Sequence, residues 1–360
     1  PIAFDGSCSG IQHFSAMLRD ERGGRAVNLL PSDEVQDIYR LVAEEVIEAV
    51  KRDMLEGTED STEVVTNKKT GEITERRVLG TRSMAAGWMG YGISRKVTKR
   101  SVMTLAYGSK AFGFTDQVRE DIIQPALDAG DGEQWFPDAQ QCARYMANLI
   151  WDSVSLVVVK AVEAMLWLQK AAKLLATEVT ATKRTKKNPE PEVLKPCMPV
   201  YWVTPDGFPV WQEYMVPVQR RVDLIFLGAA RLRSTINVRD SNEIDGAKQE
   251  SGISPNFVHS QDGSHLRKTV VKASESYGVE FFALIHDSFG TIPAKAGAMF
   301  KAVRETMVET YTENDVLEDF RQQFMEQLHE SQLEKMPAIP GKGTLDITKI
   351  LERSEEHTSE

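Results

Sequence analysis

Two aspartates near opposite ends of the sequence have the residue type and local setting that metal-dependent phosphate chemistry requires. Asp5 and Asp287 each follow a short apolar segment and stand beside a turn, although 282 positions separate them. Each alone has a simpler interpretation, because Asp-Gly and Asp-Ser are common turn dipeptides. Two carboxylates presented together beside bound phosphates are what paired Mg²⁺ ions need, since Mg²⁺ takes its other ligands from water and substrate. Both residues are candidate magnesium ligands.

Positive charge is concentrated between Arg76 and Thr115, where eight lysines and arginines occur without one aspartate or glutamate. The chain as a whole is acidic, with 43 Lys and Arg against 53 Asp and Glu. Net charge describes only the average surface, however, and nucleic-acid binding depends on where the cations lie. This basic window therefore predicts a phosphate-facing surface.

Three residues of that window fall on one side of an expected helix. At about 100° per residue, Arg95, Lys99 and Tyr107 lie within an arc of roughly 120° and span about 18 Å. A solvated basic face with a core tyrosine is the simpler alternative. A nucleoside triphosphate needs cations for its phosphates and a flat ring beside its base or sugar, and this face offers both.

A different chemistry is conceivable at the segment from Gly6 to Gly10. Its Gly-x-Cys-x-Gly spacing matches a cysteine variant of the hydrolase nucleophile elbow, with His286 and Asp287 as partners of Cys8. An adjacent His-Asp pair is poorly placed to form the required bond, and the repeated strand-helix units of that fold are missing from the pattern. The three cysteines are odd in number, far apart and in no Cys-x-x-Cys pair, which argues against both a disulfide framework and a zinc site and favours a reducing cytoplasm.

The elements that must position these residues indicate an α+β fold that is mainly helical, because clustered helices and a few hairpins occur without βαβ periodicity. A loop over residues 5–10 separates the first strand from a helix beginning near Ser15. The other expected helices cover 35–50 with Ser32 as N-cap, 94–106, 139–175, 264–277, 296–311 and 316–333. Hairpins are expected over 201–211 and 219–238, an exposed hairpin or loop over 57–71, and a buried strand over 281–285. Apolar stretches fall far short of a membrane span.

Three long motifs resemble one family. Residues 5–15, 95–108 and 285–290, in this order and spacing, are similar to the polymerase motifs of the single-subunit DNA-directed RNA polymerases. The likeness is greatest to the enzymes of T-odd podophages, the phage T-seven type, and mitochondrial RNA polymerases are more distant. It includes residues 256–265 and extends from residue 1 to about 351.

The resemblance implies a right-hand polymerase, with a palm that contains a small antiparallel sheet, and fingers. By analogy the palm comprises residues 1–33 and 260–352, and the fingers comprise 34–259, including a specificity hairpin at about 211–236. We expect residues 353–360 to be a non-native, adapter-like tail, and the thumb and N-terminal domain to be missing. The parent enzyme is expected to be a monomer, and the fragment alone to make little or no RNA.

The resemblance also implies residue roles. Asp5 and Asp287 would be the catalytic Mg²⁺ ligands, with the Gly6 carbonyl as a further candidate. Lys99 would both bind the triphosphate and donate a proton to the leaving pyrophosphate. The other expected NTP-binding residues are Arg95, Tyr107, Gly108, Ser109, Tyr39 and His259, of which Tyr107 and His259 would face the ribose. The residues expected to contact promoter DNA are Arg221, Asp223, Arg231 and Arg233, since such side chains address base edges in the major groove.

The function implied is template-dependent transfer of nucleotides from NTPs to an RNA 3′-hydroxyl. Double-stranded promoter DNA, a DNA template strand and nascent RNA would be the partners, with no membrane, in the cytoplasm of the infected bacterial host. Two alternatives stay open at this point. A right-hand DNA polymerase would differ in its choice of sugar, and a non-catalytic nucleic-acid-binding remnant would bind without metal-dependent turnover.

Overall fold

The computed structural model describes residues 1–66, 73–183, 185, 188–226 and 230–352. The expected tail at 353–360 lies outside these residues. The helices are α1 (Ser9–Leu18), α2 (Glu21–Ala26), α3 (Ile38–Glu56), α4 (Thr81–Tyr91), α5 (Arg95–Leu105), α6 (Ala111–Val118), α7 (Gln124–Asp128), α8 (Ala139–Val157), α9 (Val159–Leu175), α10 (Gly246–Tyr277), α11 (Ala296–Glu313), α12 (Val316–Met325) and α13 (Glu330–Leu333). The strands are β1 (Ile2–Asp5), β2 (Ser61–Thr66), β3 (Ile73–Val78), β4 (Val179–Thr180), β5 (Val193–Lys195), β6 (Val200–Val203), β7 (Pro209–Gln212), β8 (Met215–Phe226), β9 (Ala230–Ile244), β10 (Ala283–Ile285) and β11 (Ser288–Thr291).

The fold is mainly helical α+β, as the sequence predicts, and its small sheets are antiparallel. A large apolar core joins α1, α3–α6, α8–α10 and α12, and a smaller one lies between the three-stranded sheet and α11. Three aromatic rings fasten α10 to α12 and β6 in the large core. The centroid of Phe320 lies 5.1 Å from that of Phe257 and 5.8 Å from that of Trp202. None of the described helices combines the length and apolar character that crossing a bilayer requires.

The three-stranded sheet has the strand order β1-β11-β10. Asp5 of β1 and Ile285 of β10 both pair with Ser288 of β11, so the end of β1 and the β10–β11 turn meet at one edge. The prediction of a buried strand at 281–285 is wrong, because β10 is an outer strand and Ile285 is 78% exposed. Leu284 alone of β10 packs against the smaller core.

Helix α3 begins later than the sequence predicts. Its N-cap is Asp37, whose carboxylate accepts hydrogen bonds from the backbone N–H groups of Tyr39 (3.0 Å) and Arg40 (3.2 Å), so the prediction of Ser32 as cap is wrong. The side chain of Asn28 explains the difference. Its amide donates to the Gln36 carbonyl (2.7 Å) and its oxygen accepts from the Gln36 N–H (2.9 Å), which holds the preceding segment in a loop.

Helix α10 is far longer than the predicted helix over 264–277. It begins after the N-cap Asp245 and continues through Pro255. Gly252 and Pro255 are residues that usually interrupt helices, but tertiary packing against α9, α11 and α1 overrides this preference. Helix α1 likewise begins at Ser9, inside the predicted loop, directly after Cys8, which adopts a left-handed conformation (φ 70°). The longer α10 places His259 and Asp262 on the same face, one turn apart.

Among the described residues, four two-stranded antiparallel sheets stand apart from that sheet: β2–β3, β4–β5, β6–β7 and β8–β9. β6 and β7 confirm the hairpin predicted over 201–211, with Gly207 at φ 84° in its turn. β2 and β3 form an exposed antiparallel pair over 61–78, so the hairpin or loop expected over 57–71 is a hairpin that extends beyond the predicted end; residues 67–72 lie outside the described part. β8 and β9 form a long ribbon over 215–244, so the hairpin expected at 211–236 is displaced, and Trp211 belongs to β7 instead.

Replacing Gly10 with alanine tests the crossing of α1 with α5 and α10. A Cβ at Gly10 would lie 2.6 Å from the Ala106 Cβ and 3.1 Å from a Val258 methyl, so we expect Gly10→Ala to lower the free energy of unfolding by about 1–3 kcal/mol. Gly341→Ala is the matched control, because a Cβ there meets no atom within 4 Å. Urea unfolding measures both, and equal midpoints for the two variants would contradict the close approach.

Candidate active site

The three-stranded sheet brings the two candidate magnesium ligands together. Asp5 ends β1, and Asp287 lies in the turn between β10 and β11, where the Gly6 N–H donates to the Asp287 carbonyl (3.2 Å). A Cβ at Gly6 would lie only 3.0 Å from Asp287 Oδ2, so a larger residue at this position would crowd the Asp287 carboxylate. His286 adopts φ 54° within the same turn. Asp5 and Asp287 therefore line one cavity of about 230 Å³.

The electrostatics of this pair suit a hard divalent cation. Burial raises the pKa of Asp5, and the negative charge of Asp287 raises it further, while His286 and Ser288 oppose the shift. Two carboxylates that destabilise each other in this way gain from a cation between them, and oxygen ligands are those that Mg²⁺ prefers. The Gly6 carbonyl accepts a hydrogen bond from the Cys8 N–H (2.9 Å), which leaves one lone pair available.

Histidines connect this pair to the rest of the site. His286 Nδ1 lies 3.1 Å from Asp287 Oδ1, and its Nε2 lies 2.8 Å from His259 Nδ1. The ring of His259 stacks on Tyr107, with the centroids 4.7 Å apart and the planes 7° from parallel. His286 thus supports the Asp287 turn, and a continuous chain of contacts runs from that turn to Tyr107.

Asp262 lies behind the histidines and was not singled out by the sequence. Its side chain is 3% exposed, and Oδ1 lies 3.0 Å from His13 Nε2, whose ring in turn contacts the Tyr311 hydroxyl through Nδ1 (2.5 Å). Burial opposes ionisation of Asp262, but the hydrogen bond and charge of His13 and the charge of His286 outweigh it and hold its pKa below the usual value. The spacing of His259 and Asp262 on one helix face was the only available signal.

Tyr107 reaches the site from a turn and not from the helix face on which it was predicted. α5 ends at Leu105, the Ser254 hydroxyl donates to the Ala106 carbonyl (3.0 Å), and Gly108 turns the chain at φ 84°. Burial and the charge of Asp262 raise the pKa of Tyr107 to about 12. Its hydroxyl therefore keeps its proton at neutral pH and can donate a hydrogen bond.

The predicted phosphate-binding cations lie on α5. Arg95 Nε is 2.5 Å from Asp37 Oδ2, and its guanidinium lies 4.8 Å above the ring of Tyr39. Lys99 is exposed, and none of the described acidic side chains lies within ion-pair distance of it. Ser109 lies in the turn after α5, where its N–H donates to the Thr104 carbonyl (3.2 Å). The structure thus groups Arg95 with Tyr39 and leaves the ammonium group of Lys99 facing solvent.

Fewer cations of the basic window are available to bind phosphate than its sequence suggests. Acidic residues from outside the window pair with several of its arginines: Asp60 with Arg77 (2.7 Å), Glu59 with Arg82, and Asp121 with Arg100 (2.7 Å). A single phosphate-facing surface over the whole window is therefore wrong, because those charges are already paired. On α5, Arg95 and Arg100 are paired with Asp37 and Asp121, whereas Lys96 and Lys99 form no ion pair with any acidic side chain that the structure describes.

The ribbon of β8 and β9 carries the residues predicted to contact DNA. Arg221, Asp223 and Arg233 are exposed, and Asp223 Oδ1 pairs with Arg233 Nε across the strands at 3.2 Å. The side chain of Arg231 lies outside the part that the structure describes.

The structure contradicts the hypothesis that Cys8 is the nucleophile of a hydrolase. Cys8 is buried, and burial raises the pKa of its thiol to about 11. His286, its expected partner, contacts Asp287 and His259 instead. All three cysteines are free thiols, as predicted.

Comparison with known proteins agrees with this arrangement. The family model described as DNA-dependent RNA polymerase matches residues 1–357. The chain belongs to that family. It is 64% identical to the T7 RNA polymerase of Escherichia phage T7 and 64% identical to the DNA-directed RNA polymerase of Enterobacteria phage T3, over 98% of this chain in each case. A mitochondrial DNA-directed RNA polymerase of Nicotiana tabacum is 29% identical over 98% of the chain and 30% of the relative.

The family resemblance is thereby confirmed, including its phage affinity and the greater distance of the mitochondrial enzymes. The chain spans 39% of the length of each of the two phage relatives. Membership therefore applies to the chain, and the activity of the longer relatives is considered separately below.

Thiol labelling tests the burial of Cys8. With a pKa of about 11, only about one thiol in a thousand is ionised at pH 8, and the thiolate is the reactive form. We expect Cys197, which is only half-buried, to react first with a disulfide reagent, while Cys8 and Cys142 react only after urea is added. Cys197→Ser should abolish the fast phase. A fast phase that persists in this variant and disappears in Cys8→Ser would show an accessible thiol at the start of α1.

Proposed function

We propose that this site transfers nucleotides from NTPs to an RNA 3′-hydroxyl under the direction of a DNA template, as part of a DNA-directed RNA polymerase. The observation that carries the proposal is the pair of Asp5 and Asp287 at one edge of the sheet, in a chain of this family. The cations of α5 and the stacked Tyr107 and His259 supply what a nucleoside triphosphate would contact.

Asp5 and Asp287 would hold magnesium ions, with the Gly6 carbonyl as a further ligand. Magnesium bound there supplies a Lewis acid that activates a hydroxyl and stabilises a leaving phosphate oxygen. The protein contributes the fixed position of both carboxylates, because the ladder and the Gly6–Asp287 hydrogen bond hold the two segments together. His286 holds Asp287 from the opposite side.

Arg95 and Lys99 would bind the triphosphate. The Tyr39 ring and Asp37 hold the Arg95 guanidinium in place, which reduces the entropy lost when it binds phosphate. Lys99 would donate a proton to the departing pyrophosphate, since a protonated amine is a suitable general acid for a phosphate oxygen. Gly108 and Ser109 would lie beside the same nucleotide.

Tyr107 and His259 would face the sugar. The Tyr107 hydroxyl stays protonated, and the stacked His259 ring fixes the orientation of the phenol. A hydrogen bond from such a site to a ribose hydroxyl would favour ribonucleotides, because a deoxynucleotide would leave the half-buried Tyr107 hydroxyl without that partner.

The wider assignments follow from the family. Residues 1–33 and 260–352 would form the palm, which is consistent with a sheet whose strands come from both segments. Residues 34–259 would form the fingers, and the exposed ribbon with Arg221, Asp223, Arg231 and Arg233 would contact double-stranded promoter DNA. Template DNA and nascent RNA would be the other partners, in the cytoplasm of an infected bacterium.

Substituting each aspartate tests the metal assignment. In a hybrid that carries residues 1–352 in place of the matching segment of the phage T7 relative, we expect Asp5→Asn and Asp287→Asn each to reduce RNA synthesis by roughly a hundredfold or more, because a charged metal ligand is lost. Asp131→Asn, an exposed aspartate, is the matched control.

Primer extension with NTPs on a short DNA template measures this, and filter binding checks that the DNA is still bound. Extension that survives both substitutions would remove the pair from catalysis. A wild-type hybrid that binds DNA without extending a primer would instead favour the non-catalytic remnant.

Removing the Tyr107 hydroxyl tests sugar selection. We expect Tyr107→Phe to lower the preference of the hybrid for NTPs over dNTPs roughly threefold to tenfold, which corresponds to the loss of one hydrogen bond. Tyr91→Phe, on α4, should leave the ratio unchanged. Competition between the two nucleotide types in primer extension gives the ratio. An unaltered ratio would exclude this role, and extension with dNTPs alone would indicate a DNA polymerase.

A further inference from the structure

A second group of metal-ligating atoms lies beside the carboxylate pair. His259 Nδ1, Asp262 Oδ2 and His286 Nε2 all lie within 4.8 Å of one another. The separations are 2.8 Å between the two histidine nitrogens, 3.4 Å from His286 to Asp262, and 3.9 Å from His259 to Asp262. Neither Asp5 nor the Gly6 carbonyl belongs to this group.

These separations match the edges of a small coordination polyhedron. Zinc binds imidazole nitrogen and carboxylate oxygen at about 2.0–2.2 Å, so ligand atoms around a tetrahedral ion lie roughly 3.3–3.5 Å apart. The observed distances lie on both sides of this value, and movement of His259 Nδ1 away from His286 and toward Asp262 would bring them closer to it. His259 has room for that movement, because 47% of its side chain is exposed.

One oxygen of the Asp262 carboxylate makes no hydrogen bond of good geometry to a described residue, although the nearby Ser9 hydroxyl helps to lower the pKa of this carboxyl. Oδ1 is held by His13, but Oδ2 is buried and faces the two histidines. A buried anionic oxygen in this state is costly unless a cation or donor reaches it. The orphaned oxygen is thus an independent indication that a ligand belongs here.

A neighbouring residue holds each of the three ligand side chains in its orientation. Asp287 contacts Nδ1 of His286 and so leaves Nε2 for a metal, and His13 fixes the carboxylate of Asp262. Tyr107 stacks against the ring of His259. Metal-binding histidines in proteins characteristically have such a partner on the other nitrogen, because it fixes the tautomer and the ring orientation.

We propose that His259, Asp262 and His286 form a binding site for a transition-metal dication of the zinc class, separate from the magnesium site. Two imidazoles and one carboxylate suit zinc, cobalt or nickel, whereas magnesium prefers oxygen ligands alone. His259 and His286 are half-exposed, so the fourth position is open to solvent. The sequence argued against a zinc site because it has no paired cysteines, and the site proposed here uses histidine and aspartate in their place.

Occupancy would bear on nucleotide addition, and this consequence rests on the proposed function. A metal bound to both histidines would join the neighbour of Asp287 to the ring that stacks on Tyr107. The metal would hold His286 against Asp287 and His259 against Tyr107 in one fixed geometry. We therefore expect zinc at low concentration to inhibit primer extension without displacing magnesium. Metal binding itself is independent of that function and is measured without it.

Cobalt provides the direct test, because Co²⁺ bound by nitrogen and oxygen in a four-coordinate site absorbs visible light strongly. We expect the 360-residue chain to bind one equivalent of Co²⁺ with such a spectrum, and Zn²⁺ to abolish it, while a large excess of Mg²⁺ does not. His259→Ala and Asp262→Asn should each weaken binding at least tenfold. His329→Ala, which removes an imidazole far from the site in sequence and at the start of α13, should bind as the wild type does.

Two further controls make the outcome decisive. Circular dichroism establishes that each variant is folded; if Asp262→Asn is not, the half-exposed His259→Ala decides alone. Asp5→Asn should keep the Co²⁺ spectrum, because Asp5 lies outside the proposed group. No spectrum in the wild type, unchanged binding in His259→Ala, or loss of the spectrum in Asp5→Asn would each overturn the proposal. Inhibition by zinc in the hybrid is measured separately, so its failure would leave the binding result intact.

Discussion

β1 pairs with β11 so that Asp5 stands opposite Ser288, and this short ladder closes a loop of some 280 residues. Closing so long a loop costs conformational entropy. The ladder also buries part of Asp5 and brings it close to Asp287, and the pKa of Asp5 is raised by burial first and by the charge of Asp287 second. Backbone hydrogen bonds and the packing of the sheet on α11 must offset both costs. The strained turn at His286 and the close approach at Gly6 are the local consequences.

Helix α10 supplies the side chains that complete the site beside this ladder. It carries His259 and Asp262 one turn apart, and its buried face contacts α1, where His13 completes the bond to Asp262. Asp262 is stabilised as an anion by His13 and so provides a fixed negative charge behind the two exposed histidines. That charge also raises the pKa of Tyr107, so one buried carboxylate influences the sugar-facing side of the site and the proposed transition-metal site.

Local signals predicted some elements well and others poorly. The β6–β7 hairpin agrees with prediction because its turn signal, Pro205 to Gly207, acts within a few residues. Helix α5 begins and ends within a residue of the predicted bounds. The predicted starts of α3 and α10 are wrong. The Asn28 side chain holds the segment before α3 in a loop. Tertiary packing lets α10 begin earlier and continue through Pro255. The predicted extent of the basic surface is also wrong, because Asp60 and Asp121, which lie outside the basic window, pair with two of its arginines.

The sequence by itself determined the α+β class, the family and the identity of the candidate ligands Asp5 and Asp287, because residue type and motif order are properties of the linear chain. Only the tertiary structure decided that Tyr107 enters from a turn, that Asp37 pairs with Arg95, and that Asp262 lies behind His259 and His286. The physical reason is that hydrogen bonds and ion pairs depend on distance in space. The linear chain does not contain the distances between segments that fold together from its two ends.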